Sequence, residues 1–281
     1  MSTRRARPRR RRRAGSDLGL RILAAIPAVA YAIFIIVAGG WIFAAGVLVL
    51  GLICLHELFR MYETVRPVKL AGFLALGGFA VAALEGGERQ VLLALVAFVP
   101  LLFLLGLAMP RDQSPPTPSL TAGMSITMFG VVWVGMAIAH AILLRESPHG
   151  DGIIVDILVG TFVGDTAAYL GGRSFGTRPL APRISPNKTV EGLVIGFLGA
   201  VVATWAAGLY QDWLTHGQAL ILGAAVGAAA PLGDLLESAV KRDAGTKDAG
   251  SLFGAHGGAL DRLDAAFFTL VAGYYVWLAL L

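Results

Sequence analysis

The sequence is short of cysteine and of charged residues. Cys54 is the only cysteine among 281 residues, so an intrachain disulfide is excluded and a thiolate metal site is disfavoured. Charged residues make up 15% of the chain, whereas a soluble domain usually has about 25%. Apolar residues make up 56%. These proportions exclude a soluble globular protein, a disordered chain and a disulfide-rich secreted module, and they leave a polytopic membrane protein.

Three common catalytic motifs are also missing. The chain has no Walker loop, no GxSxG and no HExxH sequence, which argues against an ATPase, a serine hydrolase and a zinc protease. It has no internal repeat and no stretch typical of a soluble domain. Any chemistry must therefore depend on side chains in or beside membrane helices.

The formal net charge of +5 comes from one end of the chain. Residues 1–13 hold eight of the 23 lysines and arginines and no acidic residue, so the other 268 residues have a balance of −3. A basic run of this kind binds nucleic acid in some proteins. Beside a membrane segment it more often sets the topology or contacts anionic lipid, and we therefore expect no nucleic-acid partner.

Hydropathy predicts an all-α polytopic integral membrane protein with about nine transmembrane helices. A spanning helix needs about 20 mostly apolar residues. The first apolar stretch follows basic residues, as in a signal peptide, but a second stretch follows at once, which favours an uncleaved span. The third stretch is short and Gly39-Gly40 alone separates the first two, so eight or ten spans are also compatible. The nine segments lie near 20–38, 41–59, 69–84, 90–109, 120–144, 152–172, 189–210, 217–240 and 262–281.

The distribution of lysine and arginine predicts the orientation. With a cytoplasmic N-terminus and nine alternating spans, 21 of the 23 basic residues fall on the cytoplasmic side, and only Arg89 and Arg145 fall outside. We therefore expect a multi-pass protein of the cell (cytoplasmic) membrane with its active site facing the cytoplasm. The predicted organisation is a basic cytoplasmic tail over residues 1–19, N-terminal transmembrane helices over 20–150 and a C-terminal transmembrane catalytic region over 151–281.

The densest polar segment covers residues 233–264. Asp234, Glu237, Ser238 and Lys241 are spaced i, i+3, i+4 and i+7, which places them on one face of a helix. Carboxylates inside a membrane span are costly and usually face a partner or a wet cavity. This stripe therefore predicts a polar site rather than a lipid-facing surface.

The next predicted helix begins with a second acidic pair, Asp261 and Asp264, spaced i and i+3. Asp234 and Asp261 then lie at the facing ends of two adjacent helices, a position suited to holding Mg²⁺ together with the phosphates of a substrate. Basic residues and glycines between them suit phosphate binding and close backbone approach. The segment predicts a site for a polyphosphate and hard cations, and a solvated loop with scattered salt bridges is the alternative.

A second polar cluster lies upstream, over residues 164–192. Asp165 is a carboxylate within a predicted span. Farther along, the sequence SPNK predicts a helix start, with Ser185 as the N-cap and Pro186 in the first turn. Such a start would place backbone N–H groups and Lys188 where an anion binds. Ordinary helix capping explains the fragment equally well.

The run SAVKRDAGTKDAGSLFGAHGGALDRLD resembles the C-terminal signature of the phosphatidate cytidylyltransferase family, also called CDP-diacylglycerol synthases. That signature combines Ser, Lys-Arg, Lys-Asp, His-Gly-Gly and Asp-Arg-x-Asp at fixed spacings. The upstream sequences DTAAYLGGRSFG and SPNKTVEG are similar to further motifs of the family, so the resemblance covers residues 160–265. Two positions depart from it. Ala259 replaces a larger aliphatic residue, and Asn187 stands where lysine is common, which removes one positive charge from a phosphate-binding loop.

The resemblance implies that CTP and phosphatidic acid react to give CDP-diacylglycerol and pyrophosphate, with Mg²⁺ required and a second cation left open. The implied catalytic residues are Asp234, Asp261, Lys188 and Lys247. The implied metal-holding residues are Asp234, Asp261, Glu237, Asp264 and Asp165. The implied substrate-binding residues are Ser185, Asn187, Lys188, Ser238, Lys241, Arg242, Lys247, Asp248, His256, Gly257, Gly258 and Arg262.

The sequence leaves two other functions open. A CTP-dependent kinase of a polyprenol-type lipid alcohol uses related motifs and would need a base for the alcohol. A cation transporter also carries intramembrane carboxylates, but its polar residues should continue through both halves of the bilayer, whereas here they gather at the cytoplasmic ends. CTP, phosphatidic acid and membrane lipid are the expected partners, and a homodimer is left open.

Overall fold

The described part of the chain folds into nine long helices and one short hairpin. The computed structural model describes residues 14–109, 119–250 and 257–281, with side chains from Ile26 onward. The helices are α1 (Ala14–Ala38), α2 (Gly40–Met61), α3 (Lys69–Gly86), α4 (Glu88–Ala108), α5 (Leu120–Glu146), α6 (Gly150–Phe175), α7 (Val190–Ala207), α8 (His216–Asp243) and α9 (Leu260–Leu280).

The helix lengths agree with the predicted spans. Helices α2 to α9 are long and apolar enough to cross a membrane, and the described side chains of α1, over Ile26–Ala38, belong to a shorter apolar helix. Each helix coincides with one of the nine predicted segments. A helix satisfies its backbone hydrogen bonds internally, as a membrane interior requires. The prediction of an all-α polytopic membrane protein is confirmed.

A two-stranded antiparallel hairpin joins α6 to α7. Its strands are β1 (Pro179–Ala181) and β2 (Ser185–Thr189). The prediction that Ser185 caps a helix and that Pro186 lies in its first turn is therefore wrong, because both residues belong to β2. Helix α7 begins at Val190, and the Thr189 hydroxyl caps it by accepting a hydrogen bond from the Gly192 N–H at 3.1 Å.

Local contacts explain why α7 begins at Val190 and not earlier. Thr189 is in the extended conformation that an N-cap requires. In the first turn of α7, Glu191 accepts hydrogen bonds from the Thr177 N–H at 3.0 Å and the Arg178 N–H at 3.2 Å. These bonds fix the hairpin against the helix start, so the backbone of residues 185–188 pairs with β1 and does not begin a helix.

Small residues bring α6 and α7 close together along their length. A Cβ atom on Gly192 would lie 2.8 Å from the Ala168 carbonyl oxygen, and one on Gly196 would lie 3.0 Å from the Gly164 carbonyl oxygen. Small residues four apart on facing helices are typical of helix packing in membranes. The contact holds Asp165, which follows Gly164, near the strand that bears Lys188.

The buried apolar core lies where α2, α3 and α5 meet. Its fully buried side chains include Leu55, Phe59, Leu76, Phe79 and Ile142. This packing fixes the last turns of α2 in place. The chain directly after α2 also contacts α8, because the Tyr62 hydroxyl donates a hydrogen bond to the Val240 carbonyl oxygen at 3.0 Å.

Helices α8 and α9 approach each other most closely at Gly233. A Cβ atom at this position would lie 2.3 Å from the Asp264 carbonyl oxygen and 2.9 Å from the Cα atom of Ala265. Both neighbours are backbone atoms, which cannot move aside as the end of a flexible side chain can. The crossing brings Asp234 on α8 beside the acidic first turns of α9.

We expect Gly233→Ala to lower the free energy of unfolding by about 1–3 kcal/mol, the usual cost of overpacking. The added methyl group must separate two helix backbones. Thermal unfolding in detergent measures the effect. Gly217→Ala is the matched control on the same helix, because a Cβ atom there meets no heavy atom within 4 Å. Equal destabilisation by both substitutions would contradict the importance of the crossing.

Candidate active site

Carboxylates from α6, α8 and α9 gather around Lys188. The Lys188 ammonium donates to the Asp234 carboxylate, with 2.6 Å between Nζ and Oδ2. The Asp264 carboxyl group lies against that of Asp234 and is 8% exposed. Asp165 is close enough to interact electrostatically with both Asp234 and Lys188. The hairpin lysine thus binds Asp234 and interacts with Asp165, while Asp264 reaches the group through Asp234.

A second group of charges surrounds Lys241 on α8. Its Nζ atom lies 2.5 Å from Glu237 Oε2 and 2.8 Å from Asp261 Oδ1. Glu237 and Lys241 are one helical turn apart, and Asp261 comes from the first turn of α9. The Asp264 carboxyl group also interacts electrostatically with Glu237, so the two groups are neighbours. Together they form one acidic cluster: Asp165, Asp234, Glu237, Asp261 and Asp264, with Lys188 and Lys241.

Backbone N–H groups of two described residues before α9 contact the Asp261 carboxylate. Asp261 accepts hydrogen bonds from the Gly258 N–H at 2.6 Å and from the Ala249 N–H at 3.1 Å. Gly257 makes this arrangement possible because its φ is +85°, in the region that favours glycine. A Cβ atom on Gly257 would lie 2.5 Å from Asp261 Oδ2. Gly257 therefore helps to position the Asp261 side chain.

The acidic cluster has three more carboxylates than lysines. Glu237 is 2% exposed, and its Oε1 atom has no hydrogen-bond partner among the described residues. Buried carboxylates without full compensation are costly in a membrane protein. The arrangement therefore favours binding of additional positive charge.

The donor atoms of the acidic cluster suit a hard cation. Among the described residues, no group of three or more His, Cys, Asp or Glu side chains is arranged to hold a metal by itself. Mg²⁺ does not require such a cage, since one or two carboxylates plus substrate phosphates and waters usually hold it. The cluster offers carboxylate oxygens and an unpartnered Glu237 oxygen. These residues fit Mg²⁺ held jointly by protein and substrate.

Helix α2 contributes a buried carboxylate, Glu57, that lies near its C-terminal end. Glu57 stands in an apolar segment, where it could reach the site or extend to the membrane surface. It is 6% exposed, and its Oε2 atom accepts a hydrogen bond from the Leu260 N–H at 2.9 Å. Gly250 and Gly258 pack directly against its carboxylate. Glu57 thus caps the N-terminus of α9 and borders the segment that holds Asp261.

Several predicted residues lie outside the acidic cluster. Lys247 and Asp248 are exposed, and no hydrogen bond or ion pair connects them to the described residues of the cluster. Arg242 is exposed, and its Nε atom donates to the Ile184 carbonyl oxygen at 3.4 Å, which ties α8 to the hairpin. Arg262 is exposed on the first turn of α9.

The remaining predicted substrate-binding residues lie around the cluster. Ser238 on α8 and Ser185 on β2 are half-buried, and Asn187 is exposed on β2. Gly258 is buried and directed at Asp261 through its N–H group. The prediction for His256 falls outside the described residues.

Comparison with known proteins gives one family model and several relatives. The model of the cytidylyltransferase family matches residues 19–280. The uncharacterized protein YnbB of Escherichia coli is 35% identical over 63% of this chain, but the match covers 61% of YnbB, less than two thirds of its length. The phosphatidate cytidylyltransferase of Mycobacterium bovis is 30% identical over 94% of this chain and 89% of its own length. The enzyme of that name from Synechocystis is 29% identical over 93% of this chain and 97% of its own length.

The family match extends well beyond the C-terminal signature. It includes α2, which supplies Glu57, as well as the three helices and the hairpin that supply the acidic cluster. The relatives from Mycobacterium bovis and Synechocystis align over nearly their whole length. The chain belongs to the cytidylyltransferase family.

Proposed function

We propose that the chain transfers CMP from CTP to phosphatidic acid, giving CDP-diacylglycerol and pyrophosphate. The names of its relatives supply the substrates. The observation that carries the proposal is the acidic cluster, in which two lysines and five carboxylates converge within the segment that matches the family. Such a site suits a reaction between two anions that needs cations for both.

In the proposed reaction a phosphate oxygen of the lipid attacks the α-phosphorus of CTP. A new oxygen–phosphorus bond forms, the bond between the α-phosphorus and its bridging oxygen breaks, and pyrophosphate leaves with the electron pair. The lipid phosphate is already ionised, so no general base is required. The barrier is lowered mainly by positioning and by neutralising charge.

The two lysines have different capacities for phosphate. An ammonium group has three N–H donors. Lys188 uses one of them for Asp234, whereas Lys241 uses two, for Glu237 and Asp261, among the described residues. Lys188 therefore keeps more donors for the triphosphate, and Lys241 chiefly holds the carboxylates of α8 and α9 together.

The carboxylates are assigned to a divalent cation. Asp234 and Asp261 would hold Mg²⁺, with Glu237, Asp264 and Asp165 around it. Bound Mg²⁺ supplies charge neutralisation for the triphosphate and for the leaving pyrophosphate. The excess of three carboxylates over lysines and the unpartnered Oε1 atom of Glu237 support this assignment.

The active site is assigned to the cytoplasmic face, with the N-terminus on the same side. The uneven distribution of lysine and arginine supports this orientation. The helix packing agrees with it, because the end of α2 contacts both the start of α9 and the last turns of α8. Nine alternating spans require those three ends to lie on one side.

A labelled-CTP assay with the full chain in detergent tests the reaction. With phosphatidic acid as acceptor, a label on the α-phosphate should appear in the lipid and a label on the γ-phosphate should appear in pyrophosphate. EDTA should abolish both. Transfer of the γ-label to a lipid alcohol would instead indicate a CTP-dependent kinase and would contradict the proposal.

Asp234→Asn and Asp261→Asn should each lower kcat by at least about 100-fold, because each removes charge that a cation and the transition state require. The measurement is Mg²⁺-dependent formation of CDP-lipid, with thermal unfolding to establish that each variant is folded. Asp212→Asn is the matched control, since Asp212 is exposed and lies outside the acidic cluster. Normal Mg²⁺-dependent turnover by either cluster variant would overturn the metal assignment.

Glu57 is expected to act as a positioning residue for Asp261. Glu57→Leu removes the acceptor of the Leu260 N–H and should lower kcat about tenfold, comparable to the loss of one charge-assisted hydrogen bond. Glu57→Gln keeps an amide oxygen in the same place and should restore most of the activity. If the Gln variant is as inactive as the Leu variant while both unfold at the wild-type temperature, the capping role is wrong.

A further inference from the structure

Glu57 also lines a cleft that contains none of the side chains of the acidic cluster. It has a volume of about 650 Å³ and lies between α2, α3 and the segment that follows α8. Leu52, Ile53 and Phe73 form its apolar wall, and His56, Glu57 and Arg60 form its polar end. We call it the α2 cleft.

The lining of the α2 cleft changes from apolar to cationic along one face of α2. Leu52, His56 and Arg60 are four residues apart, which places them one above another on the helix. Arg60 is in the last turn of α2, and Leu52 is two turns farther from that end. This order matches a lipid that has its phosphate at the surface and its acyl chains in the membrane.

The two basic side chains of the α2 cleft are available to a ligand. His56 and Arg60 are exposed, and neither makes a hydrogen bond or ion pair with another residue in the part of the chain that the structure describes. Lys69, which is near in sequence, instead binds Glu63 at 2.6 Å. An arginine guanidinium can bind a phosphate through two parallel hydrogen bonds.

The α2 cleft adjoins the acidic cluster. Glu57 lines the cleft and accepts the hydrogen bond from the Leu260 N–H, next to Asp261. Gly250 also lines the cleft, and the preceding residue, Ala249, donates its N–H to Asp261. A group bound at the polar end of the cleft therefore lies beside the side chain and backbone groups that contact the start of α9 and Asp261.

A cationic group outside the acidic cluster suits the second anion. The acidic cluster carries three excess carboxylates and is suited to a metal with the CTP triphosphate. A second phosphate approaching from the membrane would be repelled by those carboxylates unless a basic residue held it at the entrance. Arg60 and His56 form the polar end of the α2 cleft, and its apolar wall continues from them along α2.

We propose that the α2 cleft binds the acceptor lipid, with Arg60 and His56 as ligands of its phosphate monoester and with Leu52, Ile53 and Phe73 in contact with its acyl chains. This inference rests on the proposed function, because it takes phosphatidic acid as the acceptor. It gives α2 a role in selecting the lipid, separate from the capping role of Glu57.

Kinetics in mixed micelles test the phosphate ligands. Arg60→Ala should raise KM for phosphatidic acid about tenfold, the effect of losing one charge-assisted hydrogen bond, and should change KM for CTP less than twofold. Arg60→Lys should recover part of the loss. Lys69→Ala is the control for loss of a surface cation beside the same helices, and it should leave both constants unchanged. Equal effects of Arg60→Ala and Lys69→Ala would overturn the inference.

Photocrosslinking separates lipid binding from turnover. Phosphatidic acid with a diazirine in its acyl chain, added without CTP, should label the wall residues of the α2 cleft, and unlabelled phosphatidic acid should compete better than phosphatidylglycerol. If the protein forms CDP-lipid but the label falls elsewhere, the cleft inference fails alone. If the label falls in the cleft but no CDP-lipid forms, the cleft is retained and the proposed reaction fails. If the two lipids compete equally, Arg60 binds anionic headgroups in general, and the inference is overturned.

Discussion

The close approach of α8 and α9 at Gly233 is the constraint on which the site depends. A side chain larger than hydrogen at this position would collide with the backbone of Asp264 and Ala265. Because the two backbones meet there, the carboxylates of Asp234 and Asp264 are forced to lie against each other, and the first turn of α9 comes within reach of Lys241. The acidic cluster is thus a consequence of helix packing. Its members on α8 and α9 are neighbours because no side chain separates the two helices at Gly233.

The crossing brings carboxylates close together, which costs electrostatic free energy, and the rest of the structure offsets part of that cost. Two lysines and the N–H groups of Ala249 and Gly258 compensate some of the charge, but carboxylates remain in excess. A cluster whose carboxylates were fully compensated by lysines would have a structural role and little affinity for further cations. A cluster in which the Glu237 Oε1 atom has no partner among the described residues is better suited to the proposed divalent cation.

Much of the fold was predictable because the bilayer restricts it. Membrane thickness fixes the length of a span, so hydropathy located each of the nine helices, and helical periodicity brought Asp234, Glu237 and Lys241 onto one face. The start of α7 was not predictable from capping preferences, since Thr189 and Ser185 are both good N-caps and the pairing of β2 with β1 decides between them. Nor was the contact between Glu57 and Leu260, which are 203 residues apart in sequence and meet only through the packing of α2.

That contact also shows why the C-terminal signature is not a self-contained site. The N-terminus of α9 has backbone N–H groups with no partner within the helix, and Glu57 satisfies one of them with a full negative charge at the positive end of the helix dipole. Without α2, Leu260 would lack that acceptor, and the loop that holds Asp261 would lose the surface against which Gly250 and Gly258 pack. The N-terminal helices therefore do more than anchor the chain in the membrane. They complete the support of an acidic residue that the signature itself supplies, and the family match, which begins at residue 19, includes them.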